Sequence, residues 1–510
     1  MEAYMSCIRK GTFGVVLMTK DEATKRMWLM DRDTFGPFIT ANNMVEAACV
    51  KRLMNVTAGG RLPNVVPYLG ISTIKDSRAN NVSVAVRMAR AQGTLLDYMQ
   101  RTSKDQRAAS LRDVATGLIV GVMTLHEHGM IHGDIKPANV LVSAWDAETG
   151  AVRAEDVFVA DLGSVSMATH CGDTSRVRKC CTMDYCAPEV FKDTSARCSA
   201  ATDAFSVGTL LWQFVHGATI VPLSTSYSSD KKAWSGFKHA YGDPSYLERV
   251  NAVPDNISEG LWRVVQGLMQ PSSSQRMALG EALGALGHES AMWPLPGSWS
   301  NDAAGMPWST RRARKAAVTD TFEMAKEIAS VRCAPLACNY LDRLAACEER
   351  DPCRQEIRAC VKIACSLVCQ DIGCIEVDSD DIEDIARILD ILKMDLYVDT
   401  CDVLLVASGA CTHETLDYGR LKHAIMRSNC SSDAAMRLYV TSSQRAKQGP
   451  GLPAGRLGCR GAAGAGERPL VPDKVLGQGG DVHAEAHQLG PAQGTRKRRA
   501  QRAVAAQAPN

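Results

Sequence analysis

The sequence predicts an α+β protein in which a strand-rich segment comes first, a helical segment second, and an all-α region and a basic tail last. Three observations carry that expectation. Within the first 90 residues, short apolar runs such as Val82 to Met88 are bounded by proline, asparagine and glycine, as in Pro63-Asn-Val-Val-Pro-Tyr-Leu-Gly70, and this is the grammar of strands and turns. Leu111, Val114, Leu118, Val122 and Leu125 then recur at helical spacing. From Ala317 to about Tyr439 the helical period returns, with Phe322, Ala325, Ile328 and Ala329 on one face and Ile382, Ile385, Leu389 and Leu392 on another.

At 510 residues the chain is too long for one ordinary core, and 45% hydrophobic content supplies more than one. The formal net charge of +2 points to no partner by itself. It hides an asymmetry, since residues 447 to 510 carry ten Lys and Arg against four Asp and Glu. The start, MEAYMSCIRK, lacks the apolar stretch of a secretory signal, and no uninterrupted apolar run is long enough to cross a bilayer. The expectation is a soluble intracellular protein, in nucleus or cytoplasm, without a membrane partner. Nineteen cysteines, an odd number in a long chain, fit reduced thiols better than a disulfide framework. Eleven of them fall between Cys333 and Cys430 without a single CxxC pair, so small apolar core residues are expected rather than metal ligands.

Along the first 290 residues, the polar positions have spacings that chemistry can use. Arg9-Lys-Gly-Thr-Phe-Gly14 followed by Val16 has the form of a turn between two strands, where Gly11 and Gly14 let backbone amides approach a phosphate. A plain hairpin would look much the same. Asn42 to Leu53 reads as a helix carrying Glu46, with Val45 and Ala48 at helical spacing. The long amphipathic helix ends at Gly129, and directly behind it stands His132-Gly-Asp-Ile-Lys-Pro-Ala-Asn139, continuing into Val140-Leu-Val142. An Asp, a Lys two residues on and an Asn five residues on suit phosphoryl transfer. Asp134 can orient a hydroxyl proton, Lys136 steady the moving charge, and Asn139 hold a magnesium ion. Val157-Phe-Val-Ala-Asp161-Leu-Gly163 adds a carboxylate at the end of an apolar strand, placed to turn onto the same metal.

In order and spacing these segments resemble the eukaryotic-type protein kinases, across nearly 290 residues. The resemblance also takes in Thr182-Met-Asp-Tyr-Cys-Ala-Pro-Glu189, Asp203-Ala-Phe-Ser-Val-Gly208 and Arg276. It implies a bilobal fold, with a small β-rich lobe, a large helical lobe and a hinge at Met88 to Ala91 that holds adenine. It further implies ATP and Mg2+ as cofactors, protein substrates bearing Ser or Thr, an ion pair between Glu189 and Arg276, and Asp203 bracing the catalytic loop. Asp134 and Lys136 are the implied catalytic residues, Asn139 and Asp161 the metal ligands. Lys136 with Thr182 favours the serine/threonine branch.

The chain departs from the family pattern at five places. Arg9 stands where the first loop glycine is usual, Leu162 where Phe is usual, and Gly133 where an Arg normally clamps a phosphorylated activation segment. Activity without phosphorylation of Ser164, Ser166, Thr169, Thr174 or Ser175 is therefore expected. The lysine that grips nucleotide phosphates and pairs with Glu46 is expected within Met27-Trp-Leu-Met-Asp-Arg32, which holds none. Arg32 substitutes, or Lys10 or Lys20 reaches in, or the grip is missing. The stretch between Val142 and Val157 is longer than usual and reads as a surface insertion.

Residues 1-290 are thus expected as the kinase domain, 291-312 as a linker broken by Pro294, Pro296, Gly297 and Pro307 among three tryptophans, and 313-440 as a helical domain. Within the last, Asn339-Tyr-Leu-Asp-Arg-Leu344 and Ile388 to Thr400 resemble the cyclin box, although no Lys stands near Val368 or Cys369 where cyclins meet their kinase. That resemblance implies a module able to modulate the kinase in cis, or to recruit a cellular kinase or cyclin-type partner. Residues 441-510 are expected as a disordered basic tail. Arg496-Lys-Arg-Arg499 in it reads as a nuclear import signal or as the one route to nucleic acid. Compact kinases with divergent small lobes and appended modules resemble those of large DNA viruses such as herpesviruses. Against the enzyme stands a pseudokinase scaffold, which Arg9 and the unlocated lysine favour.

Overall fold

In the computed structural model the strand-forming residues near the N-terminus build one twisted antiparallel sheet. The structure describes residues 7–11, 14–30, 38–57, 61–76, 81–167, 182–192, 198–220, 244–288, 306–368, 374–377, 379–398, 400–407, 415–428 and 430–448. Strands β1 (Cys7–Gly11), β2 (Gly14–Met18) and β3 (Glu22–Met30) form a meander, and β3 also pairs along its length with β6 (Asn81–Ala89), which pairs with β5 (Tyr68–Asp76). Gly11 faces Gly14 across the β1–β2 turn. A short strand, β4 (Phe38–Thr40), joins the end of β3 through Met30 and Ile39 and leads into helix α1 (Ala41–Thr57).

The large lobe grows from the amphipathic stripe read in the sequence. After β7 (Gly93–Thr94), α2 (Leu95–Arg101) opens with a capping box between Thr94 and Asp97. Helix α3 (Lys104–Glu127) buries Leu111, Val114, Leu118, Val122 and Leu125 completely, against α5 (Ala200–His216) and strand β10 (Val157–Val159). By length and composition α3 is apolar enough to cross a bilayer, but it serves here as the core helix of the lobe. Cutting Leu118 to Ala would cost about 2–5 kcal/mol, the usual range for a large-to-small change at such a site. Strands β8 (Met130–Ile131) and β9 (Val140–Val142) flank the loop of residues 132–139, the expected catalytic loop; β9 pairs with β10, and β8 with β11 (Ser166–Met167). Helices α4 (Pro188–Lys192), α6 (Pro244–Asn251), α7 (Glu259–Leu268) and α8 (Leu279–Ala285) complete the described part of the lobe.

The stretch between β9 and β10 is only partly a surface feature. Asp146, Glu148 and Thr149 are exposed, whereas the Gly150 carbonyl accepts hydrogen bonds from Tyr98 and Ser110 and Val152 is buried. The insertion thus ties back onto α2 and α3.

The C-terminal region is helical as expected. It comprises α9 (Arg311–Ile328), α10 (Ala334–Glu348), α11 (Arg354–Val368), α12 (Ser379–Ile391), α13 (Cys401–Ala407), α14 (Tyr418–Arg427) and α15 (Ser432–Gln448). Helix α15 runs past residue 441, so folded structure extends beyond the expected start of the tail. The polar knot of this region is buried: Arg314 donates to both carboxylate oxygens of Asp342 at 2.7–2.8 Å and to the Ile425 carbonyl, and Trp308 donates to the same carboxylate. Trp308, at the end of the expected linker, is therefore part of the helical core; Trp293 and Trp299 lie outside the described residues. Cys333, Cys338, Cys360 and Cys365 are buried, as core residues would be, and the sulfurs of Cys333 and Cys365 lie 2.7 Å apart.

Helix α11 sits at the centre, packed on α9, α10 and α12, and it also packs on α1 of the small lobe. Strand β12 (Cys374–Glu376) pairs antiparallel with β4, extending the small-lobe sheet. The described residues accordingly belong to one compact unit, and residues 451–510 lie outside the described residues. Arg496 to Arg499 and Arg502 fall there.

Candidate active site

A cleft of about 620 Å³ opens between the sheet and the large lobe. Gly14 and Val16 line it from β2, Met88 and Ala89 from the end of β6, and Leu141 from β9. Gly14 has no substitute, because a Cβ there would lie 2.4 Å from the Arg26 carbonyl oxygen. Along the expected hinge, the amides of Ala89, Arg90 and Gln92 donate to Pro67, Asp21 and Val142, which fixes the strap while Ala91 lines the cleft between them.

The missing lysine is Lys25. Its Nζ lies 2.7 Å from both carboxylate oxygens of Glu46 on α1 and 3.1 Å from Asp161. The expected window, Met27 to Arg32, began two residues too late, and Arg32 lies outside the described residues, as does the side chain of Lys10. Strand alternation explains the placement: Ala23, Lys25 and Met27 share one face of β3, and Ala23 and Met27 are buried while Lys25 points to the cleft. That two-residue period was the signal available in the sequence.

Electrostatics in this corner are strongly coupled. Burial pushes the Glu46 carboxyl up to about 7, with Lys25 pulling the other way. For Lys25 burial disfavours the charge, but the carboxylates of Glu46 and Asp161 outweigh it and hold the ammonium above its ordinary range. Asp161 likewise pays for desolvation, yet Lys25 and the Gly163 amide hold it below the usual carboxylate range. Its backbone is left-handed, φ 64°, an uncommon conformation for a non-glycine residue that aims this side chain into the cleft.

The catalytic loop is built around a second buried carboxylate. Asp203, at the start of α5, accepts from the amides of His132 and Gly133 at 2.8 and 2.9 Å and contacts His126 at 2.8 Å. Burial alone would raise Asp203, but His126 and the Gly133 amide keep it lowered. The Asp134 amide donates to His132 Nδ1, so the ring proton sits on Nε2, which donates to the Ala160 carbonyl. Gly133 adopts φ +77°, and a Cβ there would come within 2.9 Å of the Ser164 carbonyl oxygen. The position that lacks the family arginine is thus shaped for glycine.

Asp134, Lys136, Asn139 and Thr182 converge. Lys136 Nζ donates to Asp134 Oδ2 at 2.6 Å and to the Thr182 hydroxyl at 2.9 Å. The Thr182 amide and hydroxyl both donate to Asp134 Oδ1, at 2.9 and 2.7 Å. Asn139 donates its amide to the Asp134 carbonyl at 2.9 Å, which leaves its own side-chain oxygen for another partner. Below the site, Arg276 grips both carboxylate oxygens of Glu189 at 2.6 and 2.9 Å.

The donor set suits magnesium held with a nucleotide. Among the described residues no group of three His, Cys, Asp or Glu side chains stands ready to cage a metal. Asp161 with its carboxylate and Asn139 with its side-chain amide both line the cleft, and a hard cation that keeps waters and shares phosphate oxygens needs little more.

Comparison with known proteins agrees with this geometry. The profile described as protein kinase domain matches residues 5–286. The mitogen-activated protein kinase kinase kinase 5 of Arabidopsis thaliana is 25% identical over 254 residues, covering 49% of this chain and 32% of that protein. The serine/threonine-protein kinase sck2 of Schizosaccharomyces pombe is 24% identical over 214 residues, covering 42% and 30%, and PkaB of Streptomyces coelicolor is 27% identical over 153 residues, covering 29% and 35%. The chain spans about a third of the length of these curated relatives.

Proposed function

Because the chain belongs to the protein kinase family, we propose that it transfers the γ-phosphate of ATP to serine or threonine hydroxyls of protein substrates, with Mg2+ as cofactor. The observation that carries this reading is the joint placement of Lys25, Glu46, Asp134, Asn139 and Asp161 around one cleft. Phosphoryl transfer asks a protein chiefly for positioning and charge stabilisation, and these side chains are of the kinds it uses. Lys25 is poised for nucleotide phosphates, Asn139 and Asp161 for metal, and Asp134 for the attacking hydroxyl. Ala89 and Ala91 line the part of the cleft where adenine would sit.

The choice of serine and threonine rests on Lys136. Its bonds to Asp134 and Thr182 hold its ammonium beside the base. Phosphoamino-acid analysis of a mixed peptide pool treated with the protein, ATP and Mg2+ tests this, and phosphotyrosine as the main product would overturn it. The scaffold reading loses most of its support once Lys25 occupies the place that appeared vacant, leaving Arg9 as its remaining argument.

The helical region 311–448 adds a finer reading, in which it modulates the kinase in cis. Helix α11 packs on α1, which bears Glu46, and β12 adds a strand beside β4, from which α1 departs. Met44 to Val50 of α1 are all buried, so this helix has little freedom to swing away from Lys25. The resemblance of this region to a cyclin box rests on Asn339 to Leu344 and on Ile388 to Thr400, and Asp342 in the first stretch is the buried partner of Arg314 and Trp308. Nuclear import through Arg496 to Arg499, and a viral source, are readings of the sequence alone.

A further inference from the structure

We infer that Asn43 is a positioning residue for phosphoryl transfer, acting through Glu46; this deepens the proposed kinase function and rests on it. Asn43 is 3% exposed, and its side-chain amide donates to the Trp28 carbonyl oxygen at 2.8 Å. Asn43 precedes Glu46 by three residues on α1, so both project from neighbouring turns of one helix face. Trp28 follows Lys25 by three residues on β3. The helix and the strand are therefore joined twice, once by an ion pair that titrates and exchanges with ligand, and once by a neutral bond.

Strand pairing explains why the carbonyl is available. The β2–β3 ladder has its last pair at Gly14 and Met27, and the β3–β6 register shifts between Trp28 and Met30. A backbone oxygen at such an irregularity needs a partner from elsewhere, and Asn43 supplies it. Without that partner the Trp28 carbonyl would have one bond fewer, and α1 would lose a neutral tie that fixes its register against β3.

This bond matters most when nucleotide binds. Lys25 Nζ now meets Glu46 and Asp161 together; once phosphates and metal compete for Lys25 and Asp161, the ion pair weakens as a polar tie between α1 and β3. A bond that involves neither charge keeps Glu46 in register through the cycle.

The test is a double-mutant cycle in the full chain. Asn43→Ala should lower kcat about tenfold, since small misplacements of reacting groups carry losses of that order or more, with KM for ATP changed less than kcat. In a Glu46→Gln background the same substitution should change kcat little, which a general structural role would not produce. Asn43→Asp, which turns a carboxylate toward the carbonyl, should lose more than Asn43→Ala. Hydrogen exchange gives a readout independent of catalysis: α1 amides should exchange faster in Asn43→Ala, with α9 to α11 unaltered. Wild-type kcat together with wild-type α1 exchange in Asn43→Ala would overturn the inference, as would an equal fold-loss in both backgrounds. A wild-type chain that transfers no phosphate would defeat the proposed function instead, and α1 exchange would still decide the tether.

Discussion

Lys25 on β3 and Glu46 on α1 meet through two contacts of 2.7 Å, the arrangement that the proposed grip on nucleotide phosphates needs. The pair is 17% and 5% exposed, sheltered enough for its charge to matter. Lys25→Met should abolish transfer, lowering kcat/KM by roughly two orders of magnitude or more, as loss of a charged transition-state contact does. Arg32→Ala should stay near wild type. Steady-state kinetics on the two variants checks the assignment, and the reverse pattern would restore Arg32.

Proton linkage gives Glu46 opposite effects on activity and stability. Its folded-state value is raised from 4.5 to about 7, so the native state holds this proton more tightly than the unfolded chain does. Its contribution to stability is full below the unfolded value and is lost as pH rises through about 7. Activity should run the other way, climbing through the same window as the carboxylate forms and meets Lys25. A kcat profile from pH 5.5 to 8.5 should show that rise in wild type, and Glu46→Gln should flatten it.

Gly133 leaves no arginine beside Asp134 to clamp a phosphorylated segment, and its φ of +77° fits the loop without one. Replacing Ser164, Ser166, Thr169, Thr174 and Ser175 together with Ala should leave kcat within about twofold, because the arginine that reads such phosphates is missing. A large fall in the activity of this variant would show that phosphate is sensed elsewhere.

The β4–β12 pairing offers a way to loosen the helical region without removing it. Ile375 faces Ile39 across that pairing. Proline at 375 takes away a backbone donor and fixes φ, so Ile375→Pro should break the short strand. Kinase activity should drop and α1 amides should exchange faster. If activity and thermal midpoint both match wild type, the helical region has no grip on α1 through this strand.

The convergence of Asp134, Lys136 and Asn139 was legible in the sequence because it is local. Asp134, Lys136 and Asn139 sit within six residues, and a loop that short can bring them together in few ways. Glu46, Asp161, Asp203, Glu189 and Arg276 were legible through the order of their segments, although each partner is distant. Lys25 was not, because finding it required the phase of β3, and a shift of two residues carries the search past the cleft-facing position. The docking of α11 on α1 was also hidden. Helix α11 carries small buried residues such as Ala359 and Ala364, and such residues permit close approach without naming a partner. The tie from Trp308 to Asp342 lay across what composition marks as a linker, where proline and glycine conceal a buried anchor.

The most direct measurement is transfer of labelled γ-phosphate from Mg2+-ATP to a generic Ser/Thr substrate by the full chain and by Asp134→Asn. The expected result is incorporation by wild type and a fall of at least about 10²-fold in the variant, the scale on which positioned general bases contribute, with nucleotide binding retained in both. Equal incorporation by the two proteins, or binding of nucleotide with no transfer by either, would contradict the account.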